Sequence, residues 1–172
     1  MSTLPKVAVL GLGAMGHAFA SNLLKKGFTV AGWNRSPARG EDLQAQGLSL
    51  HTTPQQAVAD AEVIISMLAD GQATLEVLAQ IAPACQPQAI YCQMGTIGLP
   101  ETQEAIALLR ALQPAMTFVD APVSGTKVSL AEPHTMPGLD NIAELWQQAA
   151  DAGYAGQDLS AVYQWLSTSA KA

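Results

Sequence analysis

Three glycines near the N-terminus have the spacing of a phosphate-binding loop. The loop consists of Gly11, Leu12, Gly13, Ala14, Met15 and Gly16, and it follows a short apolar run. In this pattern the first glycine permits a tight turn, the second lets the backbone approach a pyrophosphate, and the third lets a helix pack closely on a strand. The free N–H groups at the start of that helix then bind the anion. The motif predicts a dinucleotide-binding loop, and a glycine turn without a ligand is the alternative.

The residues after the second predicted strand indicate which dinucleotide is bound. In NAD-binding domains an acidic residue about 20 positions beyond the first glycine binds the ribose 2′-hydroxyl. Here the corresponding residues are Asn34, Arg35 and Ser36, and none carries a carboxylate. An acid would repel a 2′-phosphate, whereas arginine pairs with it and serine adds a hydrogen bond. We therefore expect NADP(H) rather than NAD(H), with an exposed turn arginine as the alternative for Arg35.

Strands and helices alternate along the first two thirds of the chain. The predicted strands span residues 7–10, 28–33, 48–51, 63–68, 89–93 and 116–120. The predicted helices span residues 14–26, 37–46, 54–60, 73–81 and 100–112. Most of these strands are continuous apolar runs, which is typical of strands buried on both faces of a parallel sheet. The pattern predicts an α/β fold, a doubly wound Rossmann-type parallel sheet with a short helical C-terminal appendage.

The C-terminal third departs from this alternation. We expect a dinucleotide-binding domain at residues 1–127, a proline-containing linker at 128–138, and two short amphipathic helices at 139–172. The apolar side chains of these helices include Trp146, Tyr163 and Leu166. Because a large exposed apolar patch is unfavourable on a soluble monomer, we expect them to pack on the first domain or to form a homodimer.

Composition and charge exclude several classes of function. The chain of 172 residues has a net charge of −6 and no basic cluster, so a nucleic-acid partner or an anionic membrane surface is not expected. No window approaches the length of a membrane span, so we expect a soluble, cytoplasmic protein. Cys85 and Cys92 lie in no metal-ligand or disulfide pattern, and no metal site is expected. Cys92 is predicted to be buried, whereas Cys85 has two interpretations, an inert loop residue or a reactive thiol.

Several separate motifs, in the same order, resemble those of the β-hydroxyacid dehydrogenases. This family includes 3-hydroxyisobutyrate dehydrogenase, tartronate semialdehyde reductase and the cofactor domain of 6-phosphogluconate dehydrogenase. The motifs are the glycine loop, Trp-Asn-Arg-Ser at 33–36, Met-Leu-Ala-Asp at 67–70, Met-Gly-Thr-Ile-Gly at 94–98 and Asp-Ala-Pro-Val-Ser-Gly at 120–125. The resemblance extends from residue 6 to about residue 127. It implies hydride transfer between NADP(H) and a small β-hydroxyacid or related carbonyl.

The resemblance also implies roles for individual residues. Met67 and Leu68 would border the cofactor, and Thr96 would lie near the nicotinamide and the substrate. The alternative for Thr96 is a helix cap, because a predicted helix follows closely. The residues implied to bind a carboxylate substrate are Ser124, Gly125 and Thr126. The alternative for Ser124 is a turn residue after a proline.

The resemblance does not supply a catalytic residue. In the family, the substrate motif leads into a long helix with a Gly-x-x-x-Lys-x-x-x-Asn pattern, whose lysine donates a proton. No such pattern follows Lys127, and the only later lysine is Lys171. Residues 139–166 resemble the closing helices of the family's second domain, so the sequence predicts a member that lacks the middle of that domain. The alternative to an active enzyme is a cofactor-binding fragment or sensor without competent catalysis. A methyltransferase with a similar glycine loop is a more distant alternative.

Overall fold

Six parallel strands form the centre of the fold in the computed structural model, which describes residues 4–123. They are β1 (Val7–Leu10), β2 (Val30–Trp33), β3 (Ser49–Leu50), β4 (Val63–Ser66), β5 (Ile90–Gln93) and β6 (Thr117–Asp120). Their order across the sheet is β3-β2-β1-β4-β5-β6. This is the doubly wound order of Rossmann domains, in which the chain reverses its direction of travel between β1 and β4. The predicted fold class is confirmed. The predicted boundary at residue 127, the linker and the two C-terminal helices lie outside the described residues.

Five α-helices connect the strands. They are α1 (Ala14–Lys25), α2 (Glu41–Gln44), α3 (Pro54–Val58), α4 (Gly71–Ile81) and α5 (Leu99–Leu112), with short 3₁₀ turns at Pro37–Arg39 and Ala82–Ala84. Among residues 4–123, none of these helices is long and apolar enough to span a membrane. Likewise, no group of three potential metal ligands occurs within that range.

The apolar core lies on both faces of the sheet, and β1 shows why its sequence is a continuous apolar run. Val7 and Val9 belong to one buried cluster, whereas Ala8 and Leu10 belong to another. All four are at most 4% exposed. Because successive side chains of a strand point to opposite faces, a central strand covered on both sides needs apolar residues at every position.

The predicted helix at 37–46 is wrong as a single element. It is divided into a 3₁₀ turn and the short helix α2, with Gly40 between them. A Cβ atom on Gly40 would lie 2.5 Å from Leu12 Cδ1 and 2.9 Å from Leu50 Cδ1. The backbone therefore packs directly on two core side chains at this point, and this tertiary contact is not visible in helical periodicity.

The structure decides between the two interpretations of Cys85 and corrects the expectation for Cys92. Cys85 is 6% exposed, and its thiol donates a hydrogen bond to the carbonyl oxygen of Ile81 at 3.2 Å. Burial raises the pKa of this thiol to about 11, so the reactive interpretation of Cys85 is wrong. Cys92 is only half-buried, because it pairs with Val119 on the edge strand β6, and Val119 is 37% exposed.

Candidate dinucleotide-binding site

The glycine loop is fixed between the ends of β2 and β4. The N–H of Gly11 donates a hydrogen bond to the carbonyl oxygen of Trp33 at 2.9 Å. Gly11 has a φ of +92°, and a Cβ atom there would overlap the carbonyl oxygen of Met67. A Cβ atom on Gly16 would overlap the carbonyl oxygen of Gly11, so helix α1 lies against the loop with no room for a side chain. Both glycines are thus required by packing within the protein.

Gly13 lies in a different environment from its two neighbouring glycines. A Cβ atom built on Gly13 would meet no other atom within 4 Å. Its φ of −67° and ψ of −173° are open to any residue, so neither packing nor backbone strain explains a glycine here. The backbone at Gly13 faces open space, and a side chain at this position would occupy that space.

The N-terminus of α1 opens into the same space. Gly13 caps the helix without a side-chain hydrogen bond, and the first turn holds no acidic residue. The first intrahelical bond runs from the N–H of His17 to the carbonyl oxygen of Gly13 at 2.8 Å. The N–H groups that precede it have no acceptor within the helix, and they carry the positive end of the helix dipole. This arrangement suits a phosphate group.

Asn34 connects the glycine loop to the turn after β2. Its side-chain oxygen accepts a hydrogen bond from the N–H of Leu12 at 2.9 Å, and its side-chain nitrogen donates to the carbonyl oxygen of Ser36 at 2.9 Å. The amide of Asn34 is therefore engaged with the protein's own backbone. The side chains of Arg35 and Ser36 follow it and are exposed.

A cleft of about 310 Å³ lies at the carboxyl ends of the central strands. This central cleft is lined by residues 13–16, by Met67 and Leu68 after β4, by residues 94–96 after β5, and by Val123. It lies where β1 and β4 send their connections in opposite directions, which is the position at which open α/β sheets bind ligands. The structure thus brings the glycine loop, Met67, Leu68 and Thr96 together.

Sequence reasoning missed three lining residues of the central cleft: Met94, Gly95 and Val123. The N–H of Val123 donates to the carbonyl oxygen of Met94 at 3.3 Å, which places the segment after β6 beside the segment after β5. These residues were predictable from the sequence, because Met94 and Gly95 belong to the 94–98 motif and Val123 belongs to the 120–125 motif. The predicted substrate residues Ser124, Gly125 and Thr126 lie outside the described residues.

The loop after β5 is fixed by a buried side chain. Gln93 is fully buried, and its side-chain nitrogen donates to the carbonyl oxygen of Gly95 at 2.7 Å. Its side-chain oxygen accepts from the N–H of Gly95 at 3.3 Å. Thr96 follows and is exposed to the central cleft, whereas α5 is capped by Gly98. The helix-cap alternative for Thr96 is therefore wrong.

A second opening lies on the other side of the glycine loop, between α1 and α2. This α1–α2 pocket has a volume of about 400 Å³, and it is lined by Leu12, Gly13, Ala14, His17, Arg39 and Asp42. The imidazole Nε2 of His17 lies 2.7 Å from a carboxylate oxygen of Asp42. Sequence reasoning missed these charged residues, and it selected Arg35, which does not line this pocket. The sequence feature that indicates such a site is Arg39, a second arginine four positions after Arg35.

A parallel sheet in this order, with a glycine loop at its switch point, is the architecture of dinucleotide-binding domains. Residues 6–151 match the family described as the NAD binding domain of 6-phosphogluconate dehydrogenase. The chain belongs to this family, and the resemblance to β-hydroxyacid dehydrogenases is confirmed. It thus carries a domain for a nicotinamide dinucleotide.

Individual relatives support the same assignment. A Mycobacterium tuberculosis protein named "Probable 3-hydroxyisobutyrate dehydrogenase" is 33% identical over 119 residues, which are 69% of this chain and 40% of that protein. The solved structure of the M. tuberculosis 3-hydroxyisobutyrate dehydrogenase with L-serine aligns with a TM-score of 0.71 at 30% identity, over 75% of this chain and 44% of that one. A reductive aminase from Aspergillus terreus, solved with NADPH and ethyl levulinate, aligns with a TM-score of 0.66 at 25% identity, over 83% and 52%. This chain therefore spans about half or less of the length of these proteins.

Proposed function

We propose that the protein binds NADP(H) in preference to NAD(H), with the pyrophosphate at the start of α1. The observation that carries the placement of the pyrophosphate is the open backbone at Gly13 beside the uncapped helix N-terminus. A dinucleotide placed there has the α1–α2 pocket on one side for its adenosine end and the central cleft on the other for its nicotinamide end. The apolar residues that line the central cleft suit a planar ring.

The charges around the α1–α2 pocket support the preference for a 2′-phosphate. Arg39 lines the pocket, and Arg35 lies in the turn that leads to it. Among residues 4–123, neither arginine takes part in an ion pair. Within that range, the one carboxylate in the lining is that of Asp42, and it is bound to His17. The A. terreus reductive aminase, a structural relative, was solved with NADPH.

Titration of the full chain with NADPH and NADH, followed by cofactor fluorescence, tests this preference. We expect tighter binding of NADPH, and we expect Arg39→Ala and Arg35→Ala each to reduce that advantage while NADH binding changes little. Arg110→Ala is the matched control, because Arg110 lies in the last turn of α5. Equal affinity of the wild-type chain for the two cofactors would refute the preference.

We further propose that the cofactor serves an oxidoreductase reaction on a small β-hydroxyacid or related carbonyl. NADPH, when bound, supplies the hydride. Thr96 presents its hydroxyl in the central cleft, where it is suited to orient a bound carbonyl or carboxylate, and Ser124, Gly125 and Thr126 follow the last described lining residue. Family membership and the relatives' names support this reaction class.

A second candidate function is cofactor binding without turnover. The observation that favours it is the lining of the central cleft, which has no ionisable side chain among residues 4–123. A general acid contributes about 10²–10⁴-fold to such reactions, so its absence would leave weak turnover. Loss of NADPH absorbance with a panel of small aldehyde and keto acids distinguishes the candidates. Substrate-dependent oxidation supports the enzyme, whereas binding without oxidation supports the second candidate.

A further inference from the structure

Asp42 places a carboxylate in the α1–α2 pocket, and His17 holds it. The two side chains meet across the two helices, with His17 Nε2 and Asp42 Oδ2 2.7 Å apart. The histidine side chain is 26% exposed and the aspartate side chain 65% exposed, so the contact forms at the mouth of the pocket. Both residues line the pocket together with Arg39, which is the only other charged residue that the described part of the chain contributes to the lining.

Arg39 is the basic residue that shares the pocket lining with Asp42 and is nearest to it in the sequence. Arg39 ends the 3₁₀ turn that precedes α2, three positions before Asp42 in the sequence, and both side chains line the pocket. Within residues 4–123, however, Arg39 forms no ion pair, and the Asp42 carboxylate is bound to His17. His17 thus engages the carboxylate that shares the pocket with Arg39.

The position of the Asp42 carboxylate affects how an anionic ligand binds in this pocket. A carboxylate that moves toward Arg39 repels a phosphate group more strongly and also pairs with the arginine that would bind it, because Coulomb energy grows as charges approach. We infer that His17 is a specificity-determining positioning residue, which holds Asp42 and so leaves Arg39 available for the 2′-phosphate of NADPH. The inference rests on the proposed preference for NADP(H), and it adds that this preference depends on a residue of α1 that lies away from the turn after β2.

The test is the ratio of the dissociation constants for NADH and NADPH, measured on the full chain. Because the pair is accessible to solvent, we expect His17→Leu to lower this ratio by about three- to fivefold through weaker NADPH binding. NADH has no 2′-phosphate, so its affinity should stay unchanged. His17→Gln keeps a side-chain donor for Asp42 and should retain most of the ratio. The double variant with His17→Leu and Asp42→Asn removes the carboxylate charge, and it should restore the wild-type ratio.

Asp42→Asn alone gives a second measurement that does not alter His17. It should leave NADPH affinity equal to or above that of the wild-type chain, and a loss would overturn the inference. An unchanged ratio in His17→Leu, or an equal loss of NADH and NADPH affinity, would also overturn it, because the histidine would then act on the loop as a whole. A wild-type chain with no preference for NADPH would overturn the proposed function itself. A wild-type preference that is undiminished in His17→Leu would overturn this inference alone.

Discussion

Two glycines of the same loop differ in the space around them, and this difference allows a test at the scale of single residues. A methyl group on Gly13 enters open space, whereas one on Gly16 overlaps the carbonyl oxygen of Gly11. Gly13→Ala should therefore change the free energy of unfolding by less than about 1 kcal/mol, because the loss of a favourable helix-cap residue offsets the gain in chain rigidity. It should weaken NADPH binding by about tenfold or more, since charge-assisted hydrogen bonds to the phosphates would be displaced. Gly16→Ala should instead lower stability by about 1–3 kcal/mol.

Chemical denaturation and cofactor titration of both variants measure these two effects separately. If Gly13→Ala destabilised the fold as much as Gly16→Ala, packing would account for both glycines. The open space at Gly13 would then have no need of a ligand to explain it.

The buried thiol of Cys85 predicts a dependence of stability on alkaline pH. Burial raises its pKa from the ordinary value of 9.0 to about 11. Between these values the unfolded chain loses the proton while the folded chain keeps it, so the free energy of unfolding should fall as pH rises from about 9 to 11. Burial raises the pKa of Tyr91 as well, which extends the same trend to higher pH.

Cys85→Ala should flatten this decrease in urea denaturation series across the same pH range. Cys92→Ala is the matched control, because its thiol is only half-buried and should contribute less. An equal slope in the wild-type chain and in Cys85→Ala would contradict the assignment of the trend to this thiol.

The sequence predicted the glycine loop and its neighbours at residue scale, because each of those residues follows directly after a strand. It did not predict Arg39 or the contact between His17 and Asp42. The two partners are 25 positions apart and meet only because α1 and α2 pack together. Sequence reasoning that counts along the chain from the glycine loop reaches Arg35, whereas the 3₁₀ turn at Pro37–Arg39 brings Arg39 to the pocket.

At the scale of elements, the loop after β5 should depend on Gln93. Its side chain bonds both the N–H and the carbonyl oxygen of Gly95, and so fixes the backbone that leads to Thr96. Gln93→Leu removes both bonds, and we expect it to lower the free energy of unfolding by about 1–3 kcal/mol, because two buried backbone groups lose their partner.

A comparison of two ligands shows which half of the cofactor depends on Gln93. Binding of NADPH should weaken, whereas binding of adenosine 2′,5′-bisphosphate, which lacks the nicotinamide half, should stay the same. Gln55→Leu provides a control in the short helix α3. Equal losses for both ligands would mean that Gln93 supports the fold in general and not the central cleft in particular.

The bounds of the helices and strands show which elements the sequence patterns were sufficient to predict. Strands β1 and β4 were predictable because apolar runs have few other stable placements. Helix α4 begins two residues before the predicted start, since Asp70 caps it through a hydrogen bond from the N–H of Ala73 at 2.8 Å. Aspartate is a common capping residue, so the start of α4 was predictable from Asp70.

At the scale of the whole molecule, the chain spans about half or less of the length of the relatives it aligns with. We propose that residues 139–172 form a homodimer contact through their apolar side chains. Sedimentation velocity should show a dimer, and Leu145→Glu should shift it toward the monomer, because a charge would enter an apolar contact. Gln148→Glu is a control with a similar change of charge at a polar position of the same segment. A monomeric wild-type chain would refute the dimer.

The central claim is that the loop of residues 11–16 binds a dinucleotide, with its 2′-phosphate toward Arg39. Backbone amide chemical shifts of the isotope-labelled chain, recorded during titration with NADPH and NADH, test it most directly. We expect both cofactors to shift the amides of Gly13, Ala14 and Met15, and NADPH alone to shift those around Arg39. Amides of the glycine loop that stay unchanged at saturating NADPH would contradict the account.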